Sequence, residues 1–516
     1  MKSCFLVIVL VGLAWPSWAV DYFVEKSGDD AHPGTRMQPF KTIGKAASVM
    51  EPGDSCIVSR GLYRETIRPA KSGKAGAPLV FLPAPGETVA LTGVDEQPDG
   101  LPGKQIRDWG LDAGGLAHIE LRGFNLMSCG INLSGARMCR VDDCHLWWSG
   151  ARTGMTNVVA AILLGGKDNE VVNSSVIGNT GYGVVLLDGG LNNCLVNCLL
   201  RGKKEAGGAA VGILAQGIAP VIRNVSVMDY AGGAMVCSNV QNARIEANDL
   251  HHAGAGATNS SLIRLAGDGR GTVLAYNWIH DNAAVAGTGI LLEGPVENYV
   301  LRQNVVWGQS GAAIRMTSPS RYNFVFNNTC ALNGAGIETG PRGRGDDYGE
   351  TRIINNIFTG PVWTEAGGVP PEKLVWKNNF TGPTPGFVDL ASGNFNLAAG
   401  SPCIDAGQEE PEFTDEFTGK LPDMGAYEFG KDYPVPGCKV NESANKVVTP
   451  VVKFTAETET PGAVLRYTLD GRAPDLNSLV YTGAVPVGVG ARVRVRAFRA
   501  GMEESGTATV LLKQME

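Results

Sequence analysis

The sequence predicts an all-β fold: a right-handed parallel β-helix with an N-terminal capping helix and a small C-terminal β-sandwich. Three observations lead there. Asparagines recur in front of short apolar runs at Asn173, Asn197, Asn224, Asn248, Asn277, Asn304, Asn328 and Asn356, at gaps of 24, 27, 24, 29, 27, 24 and 28 residues. Each period also carries a Gly-rich start that leads into a short strand: GVVLL, VGILA, GGAMV, SLIRL, TGILL, GAAIR and GAGIE. These runs are too short for helical repeats, and Val, Ile and Leu bounded by Gly and Asn read as strands and turns. Self-similarity at a period of about 20–50 residues marks a repeat array. One asparagine per coil suits a tight turn, because Asn tolerates the left-handed backbone. Its amide can then bond its copies in the coils above and below.

Composition narrows the function classes. The 516 residues allow one long solenoid plus appendages, and 69 glycines match a turn-rich coil. The 44 basic and 51 acidic residues leave a net charge of −7, without the basic patch that nucleic-acid binding requires. Residues 1–19 read as a secretory signal, with Lys2 as the charged start, Cys4 to Ala14 as the apolar core and Ser17-Trp18-Ala19 as the cleavage site. That core is too short to span a bilayer, and no other segment is long enough. The mature chain is expected to be secreted, periplasmic or held at the cell surface, with no membrane span. The ten cysteines beyond the signal are scattered through strands without a C-x-x-C pair. They read as buried thiols, with one or two bridges left open by export. The sequons at Asn173 and Asn224 fall on the ladder and read as turns.

Residues 20–110 form the N-terminal module. A helix is expected from Pro39 to Met50, where Phe40, Ile43, Ala47 and Met50 give an apolar face before Pro52-Gly53-Asp54 stops it. Such a helix covers the open end of a solenoid. Ser55–Ser59, Glu65–Arg68 and Leu79–Leu82 are the first strands. The runs SGDDAHPGT, QPFKTIGKAASVM and GLYRETI resemble the opening of exported β-helix proteins that act on polysaccharides. They look most like the β-helix β-xylosidases of glycoside hydrolase family 120, and also resemble family 9 polysaccharide lyases. The resemblance implies a solenoid of the pectate-lyase-like superfamily and a polysaccharide or oligosaccharide partner. The cap itself carries no chemistry.

Residues 111–390 read as the solenoid and 391–430 as its C-terminal cap. The cap carries SPCIDAG and DMGAYEF, which resemble the exit segment common in such proteins. Its acids Asp405, Glu409, Glu410, Asp415 and Asp423 read first as structural, so no cofactor is expected; calcium is the one ion kept open there. Residues 431–438, KDYPVPGC, form a linker. Residues 439–516 alternate apolar and polar positions between turns, a sandwich pattern. Within them, YTLDGRAPDLNSLVY resembles the small immunoglobulin-like module at the C-terminus of chitobiases and many secreted glycosidases.

Aligning the repeats on inward Val185, Ile213, Ile263, Ile290, Ile314 and Ile337 sends Leu186, Leu214, Arg264, Leu291, Arg315 and Glu338 outward. Two residues on, Asp188, Gln216, Ala266, Glu293, Thr317 and Gly340 also point outward, and Asp268 lies in the adjoining turn. One face is thus expected to gather Arg264, Asp268, Glu293, Arg315 and Glu338. Coils stack about 4.8 Å apart, so acids on neighbouring coils come near the roughly 5–5.5 Å separation of a retaining glycosidase. Asp268 and Glu293 are therefore the expected catalytic pair, since two close carboxyls divide into an ionised and a protonated one. The resemblance to the β-xylosidases implies the same roles, nucleophile at GDGRGT and acid/base at GILLEGP. Asp in GDG is also ordinary turn chemistry. Arg264, Arg315 and Glu338 are expected to bind substrate.

A second column falls three residues after each ladder asparagine: Leu200, Val227, His251, His280 and Trp307. His251, His280 and Trp307 are expected to stack on consecutive coils, as a sugar-binding wall or as a source of an acid/base histidine. Their ligand set is too loose for a metal site, so none is expected. The loops His252–Ser261 and Asp281–Thr288 adjoin the carboxylate strand and are placed to wall a cleft. Together these features point to a glycoside hydrolase. A polysaccharide lyase is the alternative, with Arg264, Arg315, Lys203 and Lys204 as its cations, although no acidic calcium cluster accompanies them. A non-catalytic glycan-binding or cell-surface protein is the third reading.

Overall fold

The computed structural model describes residues 19–94, 106–149, 160–203 except 180, 210–254, 260–339, 347–363, 370–431 except 392, 411–413, 415 and 416, and the strands of the last module. Most of the signal, most of the linker, Lys204, Gly340 and Asp415 lie outside the described residues. The chain winds into a parallel solenoid of one 23-stranded and one 13-stranded sheet. The larger sheet holds two stacks, joined where Ser261–Ala275 and Thr288–Arg302 each turn a corner as one strand. Inside, Ile213, Met235, Ile263, Ile290, Ile314 and Ile337 are register partners on six successive coils, all fully buried. Burying each such side chain stabilises the fold by about 1.5–3 kcal/mol.

This row corrects the expected alignment in two places. Val184, not Val185, pairs with Ile213, so Val185 occupies the outer row expected for Leu186. The GGAMV coil enters that row through Val236, opposite Arg264. The outer row thus runs Val185, Leu214, Val236, Arg264, Leu291, Arg315, Glu338.

The asparagines divide into two columns. Asn173, Asn197 and Asn224 adopt the expected left-handed backbone, at φ 50°, 55° and 52°. From Asn248 on, the left-handed residue is the one before: Ala247, Tyr276, Gln303, Asn327 and Asn355. There the ladder asparagine sits one position further in and is buried. Asn248 donates to Asn277 at 2.9 Å, Asn277 to Asn304 at 2.8 Å, and Asn304 to Asn328, Asn328 to Asn356 and Asn356 to Asn379 at 2.9 Å each. In the earlier coils Ser174, Cys198 and Val225 stand at this inner position, and the outer amides pair loosely, at 3.4 and 3.3 Å. An amide that both donates and accepts can bond its two neighbours. Buried at every coil, it forms a continuous chain.

The capping helix is Ile43–Val49, shorter than expected. Thr42 is its N-cap, accepting from Lys45 N, and Glu65 accepts from the N–H groups of Ile43 and Gly44. These carboxylate and hydroxyl oxygens satisfy the donors left open in the first turn and fix the helix start. Ile43, Ala46, Ala47 and Met50 bury against the first coils.

Residues 391–430 fold back along the solenoid. Phe387–Asp389 pairs antiparallel with Asn394–Leu397, Tyr427 accepts from Trp278 Nε1 at 2.7 Å, and Glu410 takes Arg352 at 2.8 Å. The acids of this segment serve as acceptors. Asp405 receives Lys420 and Leu421 N–H groups, and Asp423 receives those of Asp405 and Phe429. Burial, then the nearby Asp423, pushes the Glu428 carboxyl up to about 7 from its ordinary 4.5. Burial raises Asp423 as well. A carboxyl with a raised pKa stabilises the fold below its unfolded value, and this stability is lost as pH rises through the folded value. The melting temperature is expected to fall as pH rises from 4.5 through about 7, and Glu428→Gln is expected to flatten that slope in thermal scans.

The nine described cysteines are thiols, eight of them buried. In the last module Val464–Thr468 pairs antiparallel with Arg492–Phe498, and Val493, Val495 and Ala497 form its core. Arg494 reaches Asp143 of the solenoid at 3.1 Å and the carbonyl of Asn173 at 3.0 Å. Among the described residues no helix is long and apolar enough to cross a membrane.

Candidate functional site

A cavity of about 680 Å³ opens on the stack that carries Arg264. Its floor is the outer row: Leu214, Val236, Arg264, Leu291 and Arg315, with Glu293 and Thr317 two residues further along their strands. The loops expected to wall a cleft contribute Ser260, Ser261, Ala286 and Thr288, and Tyr182 closes one side. Arg264 Nη1 lies 3.4 Å from Glu293 Oε2, and both side chains are half-exposed. A pair this exposed gains little from its own attraction, so both groups are available to a ligand. Thr317 Oγ1 accepts from Gly294 N at 2.8 Å, which fixes the turn directly after Glu293.

Glu338 stands beside Arg315 on the next coil and is buried. Opposite charges directly across neighbouring strands attract, so Arg315 is held between Leu291 and Glu338. The structure thus brings together Arg264, Glu293 and Arg315 around one cavity, with Glu338 behind Arg315.

Asp268 is placed differently. A register shift after Ala266 pairs Ala266 with Glu293 but Asp268 with Glu297. Asp268 sits in the corner between two stacks and is absent from the cavity lining. Its Oδ1 accepts from Arg270 N at 3.0 Å and Asn298 Nδ2 at 2.9 Å, and Arg270 Nη2 lies 3.4 Å from Oδ2. Gly267 and Gly271 flank it with left-handed backbones. A Cβ on Gly269 would meet the Tyr299 ring at 2.5 Å. These are the requirements of a tight corner, and the GDG run answers them.

The histidine column lies on the 13-stranded sheet, away from this cavity. His251 and His280 stack at 4.8 Å between ring centroids, and His280 and Trp307 at 4.0 Å. The column continues backward through Arg201 and Met228; Leu200 and Val227, expected there, are core residues, because the ladder shifts by one between Asn224 and Asn248. Nor is the column an open wall. His251 and His280 are buried, and the C-terminal cap lays Phe395 against Trp307 at 5.2 Å. Sequence reasoning missed Asp249, although alternation puts it on the His251 side of its strand. Asp249 Oδ1 is 3.0 Å from His280 Nε2, and its Oδ2 is 3.7 Å from His251 Nε2. His280 Nδ1 faces Asp281 at 2.8 Å, and this hydrogen bond lowers the Asp281 pKa.

Three family models match the chain: "Protein of unknown function (DUF1565)" over residues 26–70, "Right handed beta helix region" over 129–330 and "Chitobiase/beta-hexosaminidase C-terminal domain" over 444–509. A curated relative, the uncharacterized protein YwoF of Bacillus subtilis, is 32% identical over 74 residues, which span 14% of this chain and 16% of that protein. Among solved structures, pectate lyase Pel9A is similar at 17% identity and a TM-score of 0.42, covering 80% of this chain and 97% of its own. XylC in complex with xylose aligns at 15% identity and 0.45, over 70% of this chain and 82% of its own. GH136 lacto-N-biosidase from Eubacterium ramulus aligns at 12% identity and 0.45, over 70% and 68%. The chain is a right-handed parallel β-helix protein that ends in a chitobiase/β-hexosaminidase-type C-terminal domain.

Proposed function

We propose that the chain is an exported carbohydrate-active enzyme, a glycoside hydrolase whose reaction takes place in the cavity over Arg264, Glu293 and Arg315. The carrying observation is Glu293: it is the carboxylate among the described lining residues, and it faces a cavity large enough for a small saccharide. Glu293 is the acid/base. Arg264, 3.4 Å away, positions it and binds substrate oxygens. Glu338 is the second carboxylate of this reading, with Arg315 on the coil between it and Glu293. Two coil steps of about 4.8 Å and two residues of about 3.3 Å along the strand set the two backbones roughly 12 Å apart, so both side chains lean towards Arg315 to reach the roughly 6.5–9.5 Å of an inverting pair. Leu214, Val236 and Leu291 supply an apolar floor for a sugar face.

The test is release of reducing sugar from a panel of neutral oligosaccharides and aryl glycosides. Glu338→Gln is expected to lose activity and Asp268→Asn to keep it. The reverse result restores the pair Asp268 and Glu293 and removes Glu338.

One observation favours a second reading. Arg264 and Arg315 line the same cavity, and two guanidinium groups suit the carboxylate of a uronate undergoing β-elimination. The ultraviolet absorbance of an unsaturated product on acidic polysaccharides would establish the lyase over the hydrolase.

A further inference from the structure

We propose that Asp249, His251 and His280 bind one divalent transition-metal ion of the zinc class, in a structural site under the C-terminal cap. The candidate ligand atoms of these three buried residues lie within 4.8 Å of one another. Donors bound to one zinc ion at about 2.0–2.2 Å stand roughly 3–3.5 Å apart. Here Asp249 Oδ1 is 3.0 Å from His280 Nε2, and Asp249 Oδ2 is 3.7 Å from His251 Nε2. The two imidazoles come from adjacent coils in direct register, so the spacing is set by the sheet and not by a loop.

The outer partners point the same way. His280 presents its other nitrogen to Asp281 at 2.8 Å. His251 presents its other nitrogen to His252 Nδ1. A ligating histidine ordinarily donates its distal N–H to such a partner, which fixes the tautomer and leaves the lone pair on the inner nitrogen. With Nδ1 of His280 donating to Asp281, its Nε2 faces the Asp249 carboxylate at 3.0 Å, a gap that either a proton or a metal ion fills. One divalent ion serves both histidines once their rings, parallel at 4.8 Å, turn the inner nitrogens towards it. The alternative is a second proton on His280 alone, which places a buried charged ring between Asp249 and Asp281 and leaves His251 neutral between Asp249 and His252. Imidazole and carboxylate donors select zinc, nickel or cobalt over calcium. The ion would pin the coil of Asp249 to the coil of His280, next to Trp307 and the cap residue Phe395.

The test uses the tag-free, full-length chain, stripped with a chelator. Titration with Zn2+ by calorimetry should show one ion per chain with Kd below about 10 µM. Co2+ should give the visible ligand-field bands of a low-symmetry nitrogen–oxygen site, and Zn2+ should displace it. Zn2+ should also raise the melting temperature, and chelator should reverse the rise. Asp249→Asn and His280→Gln, each checked for native circular dichroism, should weaken Zn2+ binding at least about 100-fold. Glu293→Gln, in the other cavity, should bind Zn2+ as the wild type does. If the folded wild type takes up no Zn2+, or if both ligand variants bind it undiminished, the site does not exist. His251→Gln serves in the same role should either of the first two variants fail to fold.

Discussion

Glu293→Gln is expected to reduce turnover by about 10²–10⁴-fold, the usual contribution of a positioned acid/base. KM should change far less, because the amide keeps the size and the hydrogen-bonding edge of the side chain. The measurement is steady-state hydrolysis of whichever glycoside the wild type cleaves. An aryl substrate with a good leaving group sharpens it. Such a substrate needs less protonation as the bond breaks, so the variant should recover part of its rate there if Glu293 is the acid. An equal loss on both substrates would move Glu293 to a binding role. Arg264→Ala, which strips Glu293 of its 3.4 Å neighbour and removes a cation from the cavity lining, should raise KM.

The second large effect concerns the scaffold. Asn304 accepts from the backbone and the side chain of Asn277 and donates to Leu274 O and Asn328 Oδ1, and it is fully buried. Asn304→Ala leaves these groups buried without partners, at a cost of about 1–3 kcal/mol for each one that water cannot reach. The expected loss is about 3–5 kcal/mol, near the top of the range for single substitutions. Guanidinium unfolding followed by circular dichroism reads it. Asn197 is the control. It lies in the outer column with a left-handed backbone and loose amide contacts of 3.4 and 3.3 Å. Glycine meets that backbone requirement, so Asn197→Gly is expected to stay within about 1 kcal/mol of wild type.

The contrast between these two asparagines also explains what the sequence revealed. Period and alternation were enough for the solenoid and the face that carries Arg264, Glu293, Arg315 and Glu338, because each follows from local backbone geometry repeated at every coil. A shift of one residue was invisible. Asn224 and Asn248 are the same letter at the same spacing, yet one is an outer turn residue and the other an inner rung. That shift put Leu200 and Val227 into the histidine column when they belong to the core. Asp268 shows a different limit. The bend after Ala266 re-aims the strand, and no periodic pattern announces a corner. The burial of His251 and His280 was out of reach for a third reason: Phe395 and Tyr427, which help cover their neighbours, come from far along the chain. Asp249 was within reach, two residues before His251 on the same side of its strand.

The inner amide chain has a consequence for how such a protein acquires new specificity. Each rung bonds both neighbours, so the rise from coil to coil is set from within and does not respond to what the outer face carries. Strands cannot be spread to admit a bulkier ligand. The corners have no such restraint, since a longer loop costs only a slowly growing closure entropy and leaves every rung in place. Residues 281–287 form a segment of this kind, and Ala286 within it lines the cavity. A lineage of such proteins can therefore exchange its recognition loops freely while its inner frame stays metrically constant, and divergence in ligand choice need not be accompanied by any loss of stability.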